Sequence, residues 1–431
     1  MVNGLESNTG ASELPHIVVV GGGFGGLESA FYLRMRLGKH ARITLVSDRD
    51  EFLFKPNTIY IPFGKDPQEL TLSLADATSK RDIRFVKARV EDVDPVTKTL
   101  ATTTGPLQYD HLILATGASM RPDEIPGLKE NANTIWTPSE MMRLRESLQR
   151  IVGEASQGRR QRVLFVVPPN NKCAGPLYEM VMMLDTWLRR QGEGLRDRVD
   201  IEYATYEKGY IQAFGPRLND FVTTEFATRG IAGHKAMLIK SVEPGKAQFQ
   251  DGSTLAFDLC VSFPPYVAST RFSKLPSDER GFVRTDFATR QAQGQPDIYV
   301  VGDAGDFPVK QAFLALLQAD AAAEQLASRI LGTEPRLDFK PVSMCIMEQY
   351  DQATFAQVPL RLTGNPDLPV EVDPEQLELY KVGTGKIWQV GKKMIGAAIP
   401  YRYRHGDPFH AGATWATMEA GLNVMKGLFA K

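Results

Sequence analysis

Three glycines near the amino terminus have the spacing of a dinucleotide-binding turn. Gly21, Gly23 and Gly26 form the pattern G-x-G-x-x-G directly after the β-branched run 17–20. In such turns the first glycine permits a tight bend, the second lets the backbone approach a pyrophosphate, and the third lets the next helix pack on the strand. The start of that helix offers free N–H groups and a positive dipole end to the phosphates. The pattern predicts a dinucleotide site, although a glycine turn used only for close packing has the same spacing.

An acidic residue follows at the distance that this kind of site requires. Asp48 comes after a second predicted strand, residues 42–47, and lies about 20 residues past the last glycine, where a carboxylate accepts a ribose hydroxyl. Phe24 and Gly25 complete the cofactor-binding loop. We therefore expect a βαβ unit over residues 15–48, with its cofactor at the glycine loop.

Two further motifs follow in chain order. Ala115, Thr116 and Gly117 end a buried apolar run, and Gly302 and Asp303 end another. Each motif alone is common in strand-end turns, but an aspartate at such a turn can accept from a polyol hydroxyl. In this order after the glycine loop, they predict a flavoprotein that binds FAD. The fold class that we expect is α/β, with two Rossmann-type, glutathione-reductase-like domains and a further C-terminal region.

The second α/β unit departs from the nicotinamide-binding pattern. A strand over residues 162–167 is followed by Pro168 and Pro169, and the turn contains one glycine, Gly175. Prolines remove N–H donors and stiffen the backbone, so a pyrophosphate could not approach as it does at Gly23. We predict a duplicated fold whose second cofactor site has been lost.

Length and composition set the domain organisation. The chain has 431 residues, a net charge of −1 and 43% hydrophobic residues, which fits a multidomain globular protein and excludes a general nucleic-acid-binding surface. We predict an FAD domain at 15–118 and 291–335, a second Rossmann-like domain at 119–290, and a C-terminal region at 336–431. Residues 1–14 are expected to be disordered and lack the apolar core of a signal peptide. No apolar run suits a transmembrane helix, and no metal site is expected.

The C-terminal region has an amphipathic pattern. A helix predicted over residues 414–431 carries one apolar stripe, formed by Trp415, Met418, Leu422, Met425, Leu428 and Phe429. A basic stretch precedes it at residues 386–404. The stripe alone favours core packing or contact within a homo-oligomer over membrane contact, whereas stripe and cations together suit an interfacial helix.

The three cysteines differ in their surroundings. Cys173 has Lys172 beside it and precedes a predicted helix, which are conditions that favour a reactive thiolate. Cys345 lies between Met344 and Ile346 and is predicted to be buried. Cys260 lies in an apolar strand and is predicted to be an inert small hydrophobe.

These motifs together resemble the sulfide:quinone oxidoreductases and the flavoprotein subunits of sulfide-oxidising flavocytochromes. The resemblance covers residues 15–430, and its most specific part is the segment Lys172, Cys173, Ala174 and Gly175 followed by Cys345. It implies a C-terminal region that contacts a membrane without spanning it. It further implies FAD as the cofactor, sulfide as the substrate and quinone as the electron acceptor. It also implies that Cys173 and Cys345 are the redox pair beside the flavin, in either order. Many relatives carry a third cysteine near residues 118–122, where this chain has none.

Four other residues are candidates for further roles. Lys310 corresponds to a segment near the flavin pyrimidine ring, where a cation stabilises negative charge, and a solvated lysine is the alternative. Glu179, one helical turn past Cys173, is a candidate for proton transfer or a solvated helix residue. Tyr350 and Phe355, after Cys345, are candidate walls of the quinone site.

Three other functions remain open at this point. The chain could be a sulfide dehydrogenase that passes electrons to a haem protein, or a type II NADH:quinone oxidoreductase. It could also be a redox-silent FAD-binding interaction protein. The proline turn and the paired cysteines weigh against the NADH enzyme.

Overall fold

The computed structural model describes residues 14–431, so the predicted disorder of the first residues lies outside the described part. Its strands, in chain order, are β1 His16–Val20, β2 Arg42–Ser47, β3 Glu51–Leu53, β4 Thr71–Ser73, β5 Arg84–Lys87, β6 Val90–Asp94, β7 Thr99–Thr102, β8 Leu107–Gln108, β9 His111–Leu114, β10 Ala118–Met120, β11 Asn133–Thr134, β12 Gln161–Val167, β13 Val199–Thr205, β14 Ile231–His234, β15 Ile239–Glu243, β16 Lys246–Phe249, β17 Thr254–Ala256, β18 Leu259–Ser262, β19 Tyr266–Ala268, β20 Ile298–Val300, β21 Val342–Glu348, β22 Ala353–Asn365, β23 Leu368–Val372 and β24 Lys381–Gly385. Its α-helices are α1 Phe24–Leu37, α2 Leu74–Ser79, α3 Leu128–Asn131, α4 Pro138–Ser156, α5 Gly175–Gln191, α6 Pro216–Arg229, α7 Ala312–Leu331, α8 Lys386–Arg404 and α9 Gly412–Phe429.

The first sheet is parallel and has the strand order β20-β9-β1-β2-β5. Its central strand is buried on both faces, which explains its unbroken β-branched sequence. Val19 packs with residues of α1 and α7, whereas Val18 packs on the opposite face with residues of β6 and β7. Burying one such valine side chain stabilises the fold by about 1.5–3 kcal/mol.

The second sheet is also parallel and has the order β11-β18-β12-β13-β14. The short antiparallel pair of β10 and β19 lies where the chain passes between the two sheets. Cys260 lies in β18 and is 1% exposed, as the sequence predicts. Two separate parallel α/β sheets confirm the predicted fold class.

Helix α1 begins at Phe24, inside the glycine loop, so its first turn lies at the predicted phosphate site. Strand β6 runs from Val90 to Asp94 and pairs with β7 in a three-stranded meander with β8.

The C-terminal region forms an antiparallel sheet and two helices. Strand β22 lies between β21 and β24, and its outer half pairs with β23. The basic stretch at 386–404 is the helix α8. No helix within residues 14–431 is long and apolar enough to cross a membrane.

The predicted stripe of α9 divides into two parts. Trp415, Met418, Leu422 and Met425 are half-buried and pack against the protein, but Leu428 is 70% exposed. Phe429 is also exposed. The stripe is therefore packed against the protein over its first four residues and exposed at its last two, so what the exposed end contacts stays a prediction.

Candidate functional site

A cavity of about 690 Å³ lies where the two sheets and the C-terminal region meet. The residues that follow β1, β9 and β20 line it, together with residues of β21 and α8. Ligands of parallel α/β sheets bind beyond the carboxyl ends of the strands, and this volume is within the usual range for cofactor and ligand pockets.

The backbone of the glycine loop borders free space in this cavity. A Cβ added to Gly21 would lie 2.2 Å from the carbonyl oxygen of Ala115, and one added to Gly26 would lie 1.8 Å from that of Gly21. These two positions therefore require glycine for packing. A Cβ on Gly23 would meet no heavy atom within 4 Å, so this backbone faces open space. Gly23 is also the N-cap of α1, and no side chain caps the helix, which leaves its first N–H groups available to an anion.

The other predicted cofactor residues line the same cavity. Asp48 is exposed at the end of β2, and Phe24 and Gly25 form the first turn of α1. Ala115 supplies the backbone that touches Gly21, and Gly117 has φ +75°, which suits glycine. The hydroxyl oxygen of Thr116 is buried without a hydrogen-bond partner among the described residues. Such an unpaired buried group is expected where a polar ligand binds.

Asp303 lines the cavity together with two lysines, Lys55 and Lys310. It follows Gly302, whose φ of +63° turns the chain toward α7. Burial raises the pKa of Asp303, and the nearby ammonium groups of Lys310 and Lys55 oppose that rise. Burial lowers the pKa of Lys310 to about 7. The N-terminus of α7, capped by no side chain, lines the cavity next to Lys310.

The two predicted redox cysteines line this cavity from distant parts of the chain. Cys173 precedes α5, where Asn171 fixes the turn by accepting from the Cys173 backbone N–H at 3.0 Å. Cys345 lies in β21 and pairs in register with Ala356. Both thiols are free in this structure.

Burial dominates the electrostatics of both thiols. It raises the pKa of Cys173 to about 12, the carboxyl of Asp303 adds to that rise, and the Gly175 N–H at the start of α5 opposes it. Burial and then Glu179 raise the pKa of Cys345, whereas the Lys392 ammonium opposes the rise. Burial lowers the pKa of Lys172, and the charged groups that act on it are Asp278, Arg280 and Glu279, so its effect on Cys173 stays a prediction.

Glu179 is buried and paired. Its carboxylate binds the ammonium of Lys392 from α8 and accepts from the backbone N–H of Glu348 at 2.7 Å. Burial raises the pKa of Glu179, and Lys392 opposes the rise. The solvated alternative for Glu179 is therefore wrong. Lys392 is a residue that sequence reasoning missed.

Tyr350 and Phe355 do not line the cofactor cavity. Phe355 is fully buried on Trp388, with ring centroids 4.3 Å apart. Tyr350 lines a separate pocket of about 340 Å³ that shares Asn57 and Lys392 with the main cavity. The apolar residues from β21, α8 and the loop after α8 that line the main cavity are instead Met344, Ile346, Ile395, Ile399 and Phe409. In the sequence, the helical spacing of Lys392, Ile395 and Ile399 within the basic stretch could have indicated that this helix lines the cavity.

The residues present therefore fit a flavin dinucleotide. An open glycine loop and a free helix N-terminus suit a pyrophosphate, and Asp48 suits a ribose. The unpaired Thr116 hydroxyl, Asp303 and Lys310 supply polar groups beyond it. Among residues 14–431 no group of three histidine, cysteine or acidic side chains is placed to hold a metal ion.

Comparison with known proteins agrees with this architecture. Residues 15–166 match the family model described as pyridine nucleotide-disulphide oxidoreductase. The chain is 29% identical over 260 residues to the sulfide-quinone reductase of Aquifex aeolicus, a match that covers 59% of this chain and 58% of that protein. It is 23% identical over 369 residues to the mitochondrial sulfide:quinone oxidoreductase of Dictyostelium discoideum, covering 83% of this chain and 81% of that one.

Quinone reductases of another kind are also similar. The demethylphylloquinone reductase NdbB of Synechocystis is 24% identical, with coverage of 94% of this chain and 97% of that protein. Among solved structures, the sulfide:quinone oxidoreductase of Aquifex aeolicus superimposes with a TM-score of 0.82 at 23% identity, over 97% of each chain. This chain is thus similar in sequence and in fold to sulfide:quinone oxidoreductases, and its residues 15–166 match the pyridine nucleotide-disulphide oxidoreductase family.

Proposed function

We propose that this protein is an FAD-dependent sulfide:quinone oxidoreductase. The observation that carries the proposal is that Cys173 and Cys345, from different parts of the chain, line the same cavity as the open glycine loop. A disulfide flavoenzyme needs this juxtaposition, and one cysteine on a surface or in a core does not supply it. The relatives named sulfide:quinone oxidoreductase support the choice of substrates.

The glycine loop and the strand ends would hold FAD. Gly23 and the first turn of α1 would bind the pyrophosphate, Asp48 the ribose, and Asp303 a ribityl hydroxyl. Lys310 and the N-terminus of α7 would face the pyrimidine side, where a positive field favours added negative charge. When bound, the flavin would accept an electron pair from sulfur and pass it to the quinone.

The cysteine pair would react as a disulfide. Hydrosulfide attacks one sulfur, the S–S bond breaks, the attacked cysteine keeps the added sulfur, and the other leaves as a thiolate. The two cysteines are assigned to these roles in either order. Lys392 would favour the thiolate on Cys345, because its ammonium opposes the rise in that group's pKa.

Glu179 would accept or donate protons beside the pair. It is buried, lines the cavity and is bonded to Lys392, so the two side chains can hold one proton in either of two places. The apolar lining residues Met344, Ile346 and Ile395 would suit a quinone ring.

The outer face of α8 would contact the membrane. Four exposed apolar residues recur at spacings of a single helix face: Ile387, Val390, Met394 and Tyr401. Lys386, Lys393 and Arg404 are exposed on the same helix, and Val424 and Leu428 are exposed on α9. An apolar stripe flanked by cations suits a helix that lies in the membrane interface.

We propose that the chain has three domains. Residues 15–118 and 291–335 form the FAD domain, residues 119–290 form the second Rossmann-like domain, and residues 336–431 form the C-terminal region.

A type II NADH:quinone oxidoreductase is the main competing function, since similar proteins include quinone reductases of that kind. The turn after β12 opposes it, because Pro168 and Pro169 occupy the place of a second glycine loop.

An anaerobic titration of the purified, flavin-bound protein separates these functions. We expect sulfide to bleach the flavin absorbance within seconds and added decylubiquinone to restore it. NADH at micromolar concentration should leave the spectrum unchanged. Rapid bleaching by NADH with no response to sulfide would reject the proposal, as would a flavin that neither reagent reduces.

A further inference from the structure

Lys55 places a cation on the cavity wall without a hydrogen-bond acceptor. It follows Phe54 at the start of the 3₁₀ segment Lys55–Phe63 and lines the cavity with Asp303. Its ammonium nitrogen lies 2.9 Å from the centroid of the Trp136 ring. Within residues 14–431 this ammonium group donates no hydrogen bond. Its pKa is affected by burial and by charged groups to which it is not hydrogen-bonded. An aromatic face attracts a cation but does not neutralise it.

The charged groups that face Lys55 do not cancel its charge. They are Asp303 from the turn after β20, Glu140 from α4, and Arg49 from the loop after β2. The carboxylate of Glu140 already caps α4, where it accepts from the Thr137 backbone N–H at 2.6 Å. Asp303 is shared with Lys310, which also faces it. Two lysines therefore share one available carboxylate on this wall.

We propose that Lys55 faces the flavin bound in this cavity and that its positive charge raises the flavin's midpoint potential. The proposal rests on the flavin site and not on the chemistry of sulfide.

The physical reason is the charge that arrives on reduction. Two electrons taken up with fewer than two protons add negative charge to the cavity, and a cation there stabilises it more than it would in water. Lys310 lines the same cavity, so Lys55 would act in addition to it. Burial lowers the pKa of Lys55 to about 7, so its charge should fall as the pH rises from 6 to 9.

The test measures the flavin's midpoint potential at pH 6, 7.5 and 9. The flavin-bound protein is reduced with dithionite beside a reference dye, so the result does not depend on whether sulfide reacts with the cysteines. The variants are Lys55→Met, which keeps the chain length and removes the charge, and Lys55→Arg, which keeps a charge at all three pH values. Lys65→Met is the control, because Lys65 follows the same 3₁₀ segment, does not line the main cavity and pairs with Glu69.

At pH 6 we expect Lys55→Met to disfavour reduction at least tenfold, about 30 mV for a two-electron couple. The difference from wild type should shrink toward pH 9. Lys55→Arg should match wild type at pH 6 and exceed its potential at pH 9, and Lys65→Met should match it throughout. A Lys55→Met potential equal to wild type, or an offset that is the same at all three pH values, would overturn the proposal. If Lys55→Met loses its flavin, the test rests on Lys55→Arg. A midpoint potential of Lys55→Arg that equals that of wild type at pH 9 would then overturn the proposal.

Discussion

Glu28 and His410 join the first helix of the fold to the link between its last two helices. The carboxylate of Glu28 accepts from the His410 backbone N–H at 2.8 Å. It also accepts from the Phe409 N–H at 2.8 Å and from the Tyr403 hydroxyl at 3.0 Å. Glu28 is fully buried in α1, two residues after Gly26, so the link between the C-terminal helices is anchored next to the predicted pyrophosphate site.

This junction should make stability depend on pH. Burial, and then the neighbouring Asp320, raise the pKa of Glu28 from 4.5 to about 8. The folded state therefore binds a proton on the Glu28 carboxyl more tightly than the unfolded state does. The contribution of this protonated carboxyl to the free energy of unfolding is complete below about pH 4.5 and is lost as the pH rises to 8. Glu28→Gln cannot titrate. The stability advantage of wild type over this variant should shrink from pH 5 to pH 8, by at most about 1.4 kcal/mol per pH unit.

Urea unfolding at pH 5, 6.5 and 8 measures that advantage. Glu91→Gln is the control, because Glu91 is exposed, and its difference from wild type should stay constant. A wild-type advantage over Glu28→Gln that stays constant or grows with pH would show that the carboxyl is ionised throughout.

Gly23→Val should abolish flavin binding. The backbone at Gly23 is extended, with φ −91°, so valine adopts it without strain and meets no protein atom. Its side chain would instead fill the space where a pyrophosphate approaches α1. Gly192→Val is the matched control, since Gly192 is also extended and open but lies after α5. Flavin absorbance per protein after purification decides the outcome. A Gly23→Val protein with a full flavin spectrum would remove the glycine loop from the cofactor site.

Local patterns predicted the cofactor loop but not the whole cavity. The glycine spacing, Asp48 and the two later turns lie at strand ends, and a parallel sheet brings its strand ends to one edge. Phe355 was misassigned because alternation along β22 points it to Trp388, and the register with β21 was not known from sequence. Lys55 received no role for a similar reason, since its partner Trp136 is distant in sequence.

The exposed apolar residues of α8 should be needed for membrane binding. Met394 is 61% exposed and Val390 52%, so glutamate at both positions costs little in the fold and removes the apolar stripe. We expect Val390→Glu with Met394→Glu to leave the protein in the supernatant when phospholipid vesicles are sedimented, while sulfide still bleaches its flavin. Val96→Glu, on an exposed turn after β6, is the control.

These substitutions are sharper than deletion of residues 412–431. The last residue, Lys431, exchanges backbone hydrogen bonds with Val382 of β24 at 2.9 and 3.0 Å, so a deletion would also open that sheet edge. Undiminished vesicle binding by the double variant would assign the membrane contact to another surface.

The rate of flavin reduction by sulfide, followed by anaerobic stopped-flow absorbance, tests the central claim most directly. Serine at residue 173 or 345 keeps the size of the side chain and removes the nucleophile, because a hydroxyl is scarcely ionised at neutral pH. We expect Cys173→Ser and Cys345→Ser each to retain FAD and to lose at least a hundredfold in rate. Cys260→Ser, in the buried strand β18, should keep most of the wild-type rate. Near-normal reduction in both of the first two variants would contradict the account and leave a flavoprotein whose cysteines take no part in its chemistry.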